Sequence, residues 1–252
     1  MKLALCFTAR DEQDIVETMI RWHVSQGVDL VLVEEAFSSD DTPHILDRLA
    51  RELPVVVNHT RRSHAEQAQA MTELQAQAYA LGADWVINSD ADEFWVSRYG
   101  SLWHVFAAIP PDIGFVRAEI DEYASDQTLL PHHRSWNGER LAPKVAHRPS
   151  PNVTVQFANV NVSGTLPGIR LADLSVLHWP LRSPEQAASK CRNLSQPVPG
   201  RAVSCDDHYR RLEADPSAAL AVSGVPDARL ADILRRDAKR SALGLGAHRK
   251  RF

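Results

Sequence analysis

The chain has 252 residues, 44 % of them hydrophobic and 24 % charged, an ordinary balance for one sizeable globular domain or two small ones. Its formal net charge of -4 excludes a nucleic-acid binder held by bulk positive charge, so no nucleic-acid partner is expected. No stretch reaches the ~18 unbroken apolar residues of a membrane helix, and the first apolar run is too short for a signal-peptide core, so a cytoplasmic location is expected.

Residues 3–8 read as a first strand, apolar and ending in a polar turn. Residues 11–26 then carry helical spacing, with Ile15, Met19 and Trp22 on one face and acids near the start, where they suit the helix dipole. Gly27 is placed to end that helix, and residues 28–34 form a β-branched run of the kind buried on both sheet faces. Pro43 sits just inside a helix over 44–52, a third strand follows over 54–58, and a helix over 64–81 closes at Gly82. Residues 84–89 form a fourth strand that runs directly into Asp90, Asp92 and Glu93.

This β-α-β-α-β-α-β alternation predicts an α/β fold built on a parallel, doubly wound sheet flanked by helices. Ligands of such sheets sit outside the carboxyl ends of the strands, and the polar clusters at 8–11, 34–41 and 90–93 all fall there. Beyond residue 95 the pattern loosens. A helix is expected over 101–109 and strands over 114–120, 153–162 and 174–178. A loop-rich stretch rich in His and Arg covers 131–151, and helices are expected over 183–193 and 228–240. The Pro-, Gly- and Ser-containing stretch 196–204 marks a boundary between a domain over 1–195, with halves 1–95 and 96–195, and a helical C-terminal extension over 196–252. Cys6, Cys191 and Cys205 are widely spaced and read as small buried hydrophobes or incidental thiols, with neither a disulfide framework nor a zinc knuckle indicated. Seven basic residues between Arg235 and Arg251 form either a solvated basic end or a patch drawn to anionic lipid, which would give peripheral contact at the inner membrane face.

Asp90 and Asp92 leave an apolar strand at i and i+2, boxed by Trp85, Phe94 and Trp95. Such a pair can turn one oxygen to a divalent metal and another to a ribose or a bridging water. Mg²⁺ and Mn²⁺ take hard oxygen ligands and share them with a diphosphate.

Four ordered motifs carry a family resemblance. Thr8-Ala-Arg-Asp-Glu-Gln-Asp14 resembles the "arNE" opening of glycosyltransferase family 2, and Trp22-His23 with Gly27-Val28-Asp29 resembles its "HHxxxGvd" segment. Ser38-Ser-Asp-Asp-Thr42 resembles its "SxDgT" turn, and Asp84-Trp-Val-Ile-Asn-Ser-Asp-Ala-Asp-Glu-Phe94 its "dWxxxxDaDEF" segment. The resemblance covers residues 3–95, with an echo from Pro143 to Lys190.

It implies a GT-A fold with a mostly parallel Rossmann-like sheet, Mn²⁺ or Mg²⁺, and a nucleotide-sugar donor, a UDP-sugar being favoured. The acceptor would be a hydroxyl on a glycan, a lipid-linked sugar, a protein or a small molecule. Carried over, Asp92 would be the main metal ligand and Asp90 would face the ribose or the metal's water shell. Glu35 and Asp40 fall where the family contacts base and ribose, and Thr8, Arg10 and Glu12 where it lines the nucleotide pocket. Asp11 replaces the family's Asn, and Glu35-Ala36-Phe37 replaces an Asp and a small polar pair.

His178 ends an apolar strand and reads either as a third metal ligand or as a buried histidine bonded to backbone. Lys144, His147 and Arg148 could neutralise a leaving diphosphate or form a solvated basic loop; Arg182 and Lys190 could close over the phosphates. An acceptor base would come from Glu119, Asp121, Glu122 or Asp126, with Asp121 the choice. Trp179 leads Trp95, Trp103 and Trp136 as a sugar-stacking candidate, while Trp22 and Trp85 read as core. Competing readings are a catalytically silent sugar- or nucleotide-binding domain, a phosphatase with its own DxD, and a nucleotidyltransferase. The last would need a Gly-rich loop where residues 8–12 have none.

Overall fold

A computed structural model describes residues 1–123 and 141–180 together with Arg182, Ser183, Gln186, Ser189, Lys190 and Asn193. Cys191, Cys205, Asp126, Trp136, the expected helix over 228–240, the extension over 196–252 and the basic end all lie outside the described residues. Among the described residues no helix is long and apolar enough to cross a membrane.

The first strand, β1 (Leu3–Ala9), is buried on both faces, as an apolar run flanked by parallel neighbours must be. It pairs in parallel with β2 (Leu30–Ala36) and with β4 (Trp85–Asp90), and β2 pairs in parallel with β3 (Val55–Thr60). The connecting helices are α1 (Val16–Ser25), α2 (Thr42–Glu52) and α3 (Gln67–Ala80), the last entered through a 3-10 turn over His64–Glu66. Strand alternation sorts the core into two layers. Leu3, Leu5, Phe7, Val31 and Val33 meet α1 and α2, while Ala4, Cys6, Leu30 and Leu32 meet Met71, Leu74 and Ala78 of α3.

The second half departs from the sequence expectation. A strand not anticipated, β5 (Glu93–Ser97), follows β4 after only Ala91 and Asp92, and α4 (Leu102–Ala107) lies within the expected 101–109. Next come β6 (Phe115–Glu122) and β7 (Lys144–His147), the latter inside the stretch expected to be loop. The expected strand over 153–162 is instead a small hairpin, β8 (Thr154–Val155) and β9 (Val162–Ser163), broken by a 3-10 turn in which Ala158 and Asn159 take left-handed φ values of 60° and 58°. The last strand, β10 (Gly168–His178), begins well before the expected residue 174 and bulges, five steps between Arg170 and Ser175 matching two on β6. Of the expected helix over 183–193, Gln186, Ser189, Lys190 and Asn193 are helical.

Among the described residues eight strands form one sheet in the order β3-β2-β1-β4-β7-β6-β10-β5. β5 and β7 run against the other six, so the sheet is partly mixed. It is also curled. The link from Asp90 to Glu93 spans at most about 11 Å, whereas four strand steps laid flat would separate β4 from β5 by ~19 Å. The curl brings β5 back toward the end of β4 and against α1, where Trp22 Nε1 donates to the Trp95 carbonyl (3.0 Å). Gly27, at φ +90°, ends α1 where a Cβ would lie 2.6 Å from that of Trp103, so only glycine fits.

Buried His23 joins α1 to this edge strand. Its Nδ1 donates to the Met19 carbonyl (2.9 Å), and its Nε2 accepts from the Trp95 backbone N–H (3.2 Å). Both nitrogens are satisfied only in the neutral Nδ1-H form, and burial pushes the ring down from its ordinary 6.5 to about 4. As pH falls through 6.5 the unfolded chain takes up a proton that the folded chain refuses. Stability should therefore drop between about pH 6.5 and 4 by roughly 3 kcal/mol from this ring alone. An imidazole NMR titration showing His23 neutral at pH 5 is the expected result; a midpoint near 6.5 would refute it.

Candidate active site

Six strand ends and one turn converge on the carboxyl side of the parallel strands. β4 delivers Asp90, the turn delivers Asp92, and β5 opens with Glu93. β10 ends at His178, in register with both Glu93 and Glu122 of β6, while β7 opens with Lys144 and β1 leads into Glu12. The Asp92 carbonyl accepts from the Trp179 backbone N–H (3.0 Å), which fixes the turn against the end of β10.

Asp92 is 2 % exposed, and cations surround its carboxylate. Lys190 bonds Oδ2, Arg182 Nη1 lies 3.6 Å from the same oxygen, and His178 Nε2 is 3.5 Å from Oδ1. Burial alone would raise the Asp92 carboxyl; Lys190, His178 and Arg182 outweigh it and hold the group well below the usual carboxylate range. His178 Nδ1 contacts Glu122 Oε2 (3.1 Å), so buried Glu122 orients the ring. Burial would lower this histidine, but Asp92 and Glu122 push it up to about 10.

Asp90 is held differently. Its Oδ1 accepts from Gln67 Nε2 (2.9 Å) and Asn159 Nδ2 (3.0 Å), and its Oδ2 accepts from Lys144 Nζ (2.6 Å). Lys144 also pairs with Glu93 Oε1 (2.7 Å) and donates to the Ala158 carbonyl (2.9 Å). The left-handed pair Ala158 and Asn159 thus supplies two of the contacts around this ion cluster, a use of backbone strain where geometry is tightly set. Burial pushes Glu93 up to about 7, against the pull of Lys144.

Arg182 closes the cluster from the chain's later part. It bonds Glu12 through Nη2, Asp14 through Nε (2.7 Å) and Nη2 (2.9 Å), and the Trp179 carbonyl through Nη1 (2.9 Å). Asp11, at φ +55°, receives Ser39 N (2.6 Å), Ser189 Oγ (3.3 Å) and Asn193 Nδ2 (2.6 Å). Asp and Asn are the side chains that best tolerate this backbone, which accounts physically for an Asp where the resembled motif has Asn. It also explains why α1 begins at Val16 rather than at residue 11.

The other expected residues divide. Glu35 lies at the end of β2, taking Ser38 N (2.6 Å) on Oε1 and His59 Nδ1 (3.2 Å) on Oε2. Asp40 accepts from the Thr42 (2.9 Å) and Gln13 (3.1 Å) backbone amides and so shapes the turn into α2. Thr8 lies between Glu34 and Asp90 in the sheet, and Arg10 follows with its Nε buried and without a hydrogen-bond partner among the described residues. Asp121 alternates with Glu122, so it lies on the opposite sheet face from the His178 contact.

His147 lies inside the sheet opposite Val86, bonded to Asn88 Nδ2 (3.0 Å), and burial pushes it down to about 3. Arg148 holds the far end of the sheet, donating to the Ile113 (3.0 Å) and Ile109 (3.2 Å) carbonyls beneath Trp85. Lys144 and His147 therefore belong to a buried strand rather than to a solvated loop. Trp179 is buried between Phe94, edge-on at 5.3 Å, and Tyr123, stacked at 4.7 Å; Trp95 is buried, and Trp103 donates to the Met1 carbonyl (3.1 Å). Gln67 and Asn159 carry no signal in the sequence, because lone amides in helix and turn have no characteristic spacing.

Among the described residues no three His, Cys, Asp or Glu side chains converge as a ready-made metal cage. Asp92 Oδ1 and His178 Nε2 lie 3.5 Å apart, and because both carboxylates favour the charged ring, His178 would have to give up a proton before it could serve as a metal ligand. Once deprotonated, that pair of donors, one oxygen and one imidazole nitrogen, would suit Mn²⁺ better than Mg²⁺.

No family model matches the chain, and no curated protein matches it in sequence. Its fold is similar to that of solved structures of S. aureus TarS. For residues 1–349 of TarS in complex with UDP, the TM-score is 0.52 at 13 % identity, covering 85 % of this chain and 70 % of that one. For the same fragment in complex with UDP-GlcNAc, the TM-score is 0.52 at 13 % identity, covering 97 % and 73 %. The likeness is one of fold: an α/β chain with a curled, partly mixed sheet flanked by helices.

Proposed function

We propose that this chain is a glycosyltransferase that moves a sugar from a nucleoside diphosphate donor, a UDP-sugar, to a hydroxyl acceptor. The observation that carries the reading is the buried Asp92, set where parallel strands end and faced by His178, Lys190 and Arg182. A glycosyltransferase-like fold shared with TarS, whose solved complexes hold UDP and UDP-GlcNAc, supports it.

In this reading Asp92 and His178 would hold Mn²⁺, His178 giving up its Nε2 proton to do so, with Glu122 orienting the ring and Asp90 facing the ribose or the metal's water shell. The ion when bound would neutralise charge gathering on the leaving diphosphate. Lys190 sits on Asp92 by a flexible stem and can pass its charge to a phosphate oxygen once the site fills; Arg182, pinned by Glu12 and Asp14, stays fixed. Thr8, Arg10, Glu12, Glu35 and Asp40 would line the nucleoside end. Lys144 fixes Asp90 and Glu93 in place. The acceptor proton needs a carboxylate base if the transfer inverts configuration; Asp121, on the sheet face opposite His178, would serve only an acceptor that reaches that face.

Calorimetry with UDP and GDP, each with and without Mn²⁺, tests this. Metal-dependent binding of UDP is the expected outcome. UDP binding undiminished by a chelator would shift the cation's role to Lys190 and Arg182. No binding of either nucleotide under any condition would sink the transferase reading.

A further inference from the structure

Phe37 stands out twice. It is a bulky residue with φ at +59°, a backbone region such side chains rarely adopt, and it is 56 % exposed. The chain on either side is firmly held. Ala36 pairs with Thr60 in the sheet, Ser38 N donates to Glu35 Oε1 (2.6 Å), and Asp11 N donates to Ser38 Oγ (3.0 Å). These contacts impose the left-handed turn that lifts the ring out of the protein. The Arg61 guanidinium lies 4.8 Å from the ring centroid over one face. A solvent-facing aromatic, backed by a cation and held at a conformational cost, has no folding role that a smaller residue would not fill better.

Its place in the sheet suggests the ligand. Phe37 directly follows β2, which lies two strand positions from β4, ~10 Å away at ordinary strand spacing. That is about the reach of a nucleoside from its diphosphate to its base. We infer that Phe37 is the stacking platform for the donor's nucleobase, with Arg61 backing the ring, so that the base lies flat against Phe37 while the diphosphate meets the Asp92 cluster. Stacking tolerates any base, so Phe37 would set affinity while hydrogen-bonding neighbours set base choice.

This inference rests on the nucleotide-donor reading and fails separately from it. The test is UDP affinity by calorimetry with Mn²⁺ for wild type, Phe37→Asn and Phe37→Tyr, alongside thermal unfolding. Asn tolerates the left-handed backbone and removes the ring; Tyr keeps the ring. Phe37→Asn should weaken UDP binding roughly tenfold to a hundredfold without lowering the unfolding midpoint, and Phe37→Tyr should bind within about threefold of wild type. Wild-type affinity in Phe37→Asn, or equal loss in both variants, would overturn the stacking role while leaving the transferase reading intact. A wild type that binds no nucleotide would overturn the transferase reading, and this inference with it.

Discussion

Replacing Asp92 by Asn should abolish Mn²⁺-dependent UDP binding, by on the order of a hundredfold or more, while the protein stays folded. The two side chains are nearly isosteric, so packing around the turn survives. What changes is charge. Lys190, partly exposed, can swing to solvent, and Arg182 keeps Glu12 and Asp14 as partners. The stability loss should therefore be held to about 1–2 kcal/mol, far below the cost of stranding a fully enclosed ion. Thermal unfolding separates the two effects. Mn²⁺ with UDP should raise the wild-type midpoint by ligand linkage and leave that of Asp92→Asn unmoved. A variant whose midpoint still rises would remove Asp92 from the metal role.

Lys144→Met should do the reverse, acting on the fold first. Lys144 is buried and neutralises Asp90 and Glu93 together, and methionine keeps the stem while deleting the ammonium. Removing one partner from a buried ion cluster costs about 3–5 kcal/mol. Glu93 offers partial relief, because burial already pushes its carboxyl up to about 7 and loss of Lys144 pushes it higher. A carboxyl whose folded pKa lies above its unfolded value of about 4.5 stabilises the fold when protonated. That contribution fades as pH rises through the folded value. The deficit of Lys144→Met should accordingly be smaller at pH 5.5 than at pH 8, and adding Glu93→Gln should recover part of the loss. Urea unfolding of the two single variants and the double variant forms the cycle that measures it. Additive losses, with no change in deficit between the two pH values, would show that Lys144 does not act through these carboxylates.

The parallel half of the fold was legible because each strand there is a buried apolar run and each crossover a helix with its own period. Leu3, Leu5 and Phe7 against Ala4 and Cys6 already imply two covered faces. The second half was not, because its strands are specified by pairing rather than pattern. Glu93–Ser97 reads as the tail of the acidic motif, and only its register with β10 makes it a strand. Lys144–His147 is four residues long with a polar side chain at each end, and these are hidden by Asp90 and Asn88. Residues 153–162 look extended until two left-handed residues fold them back.

The site was legible to a similar depth. Asp90, Asp92 and His178 stood out by position at strand ends. The choice between Asp121 and Glu122 depends on strand parity, which one bulge or one residue of register decides. Arg182 and Lys190 could be named as cations, but their partners, separated from them by 98 to 170 residues, could not.

That separation bears on how the molecule comes into being. Arg182 reaches back to Glu12 and Asp14, Asn193 to Asp11, and Lys190 to Asp92. A chain emerging from the ribosome can assemble β1 to β4 early, since those strands lie within its first ninety residues. Until residues 182–193 arrive, the strand ends present Asp11, Glu12, Asp14 and Asp92 to one another without Arg182 and Lys190, which offset part of their charge. The nascent protein thus carries a self-repelling anionic mouth, and among the described residues Arg182 and Lys190 are the late-made contacts that relieve it.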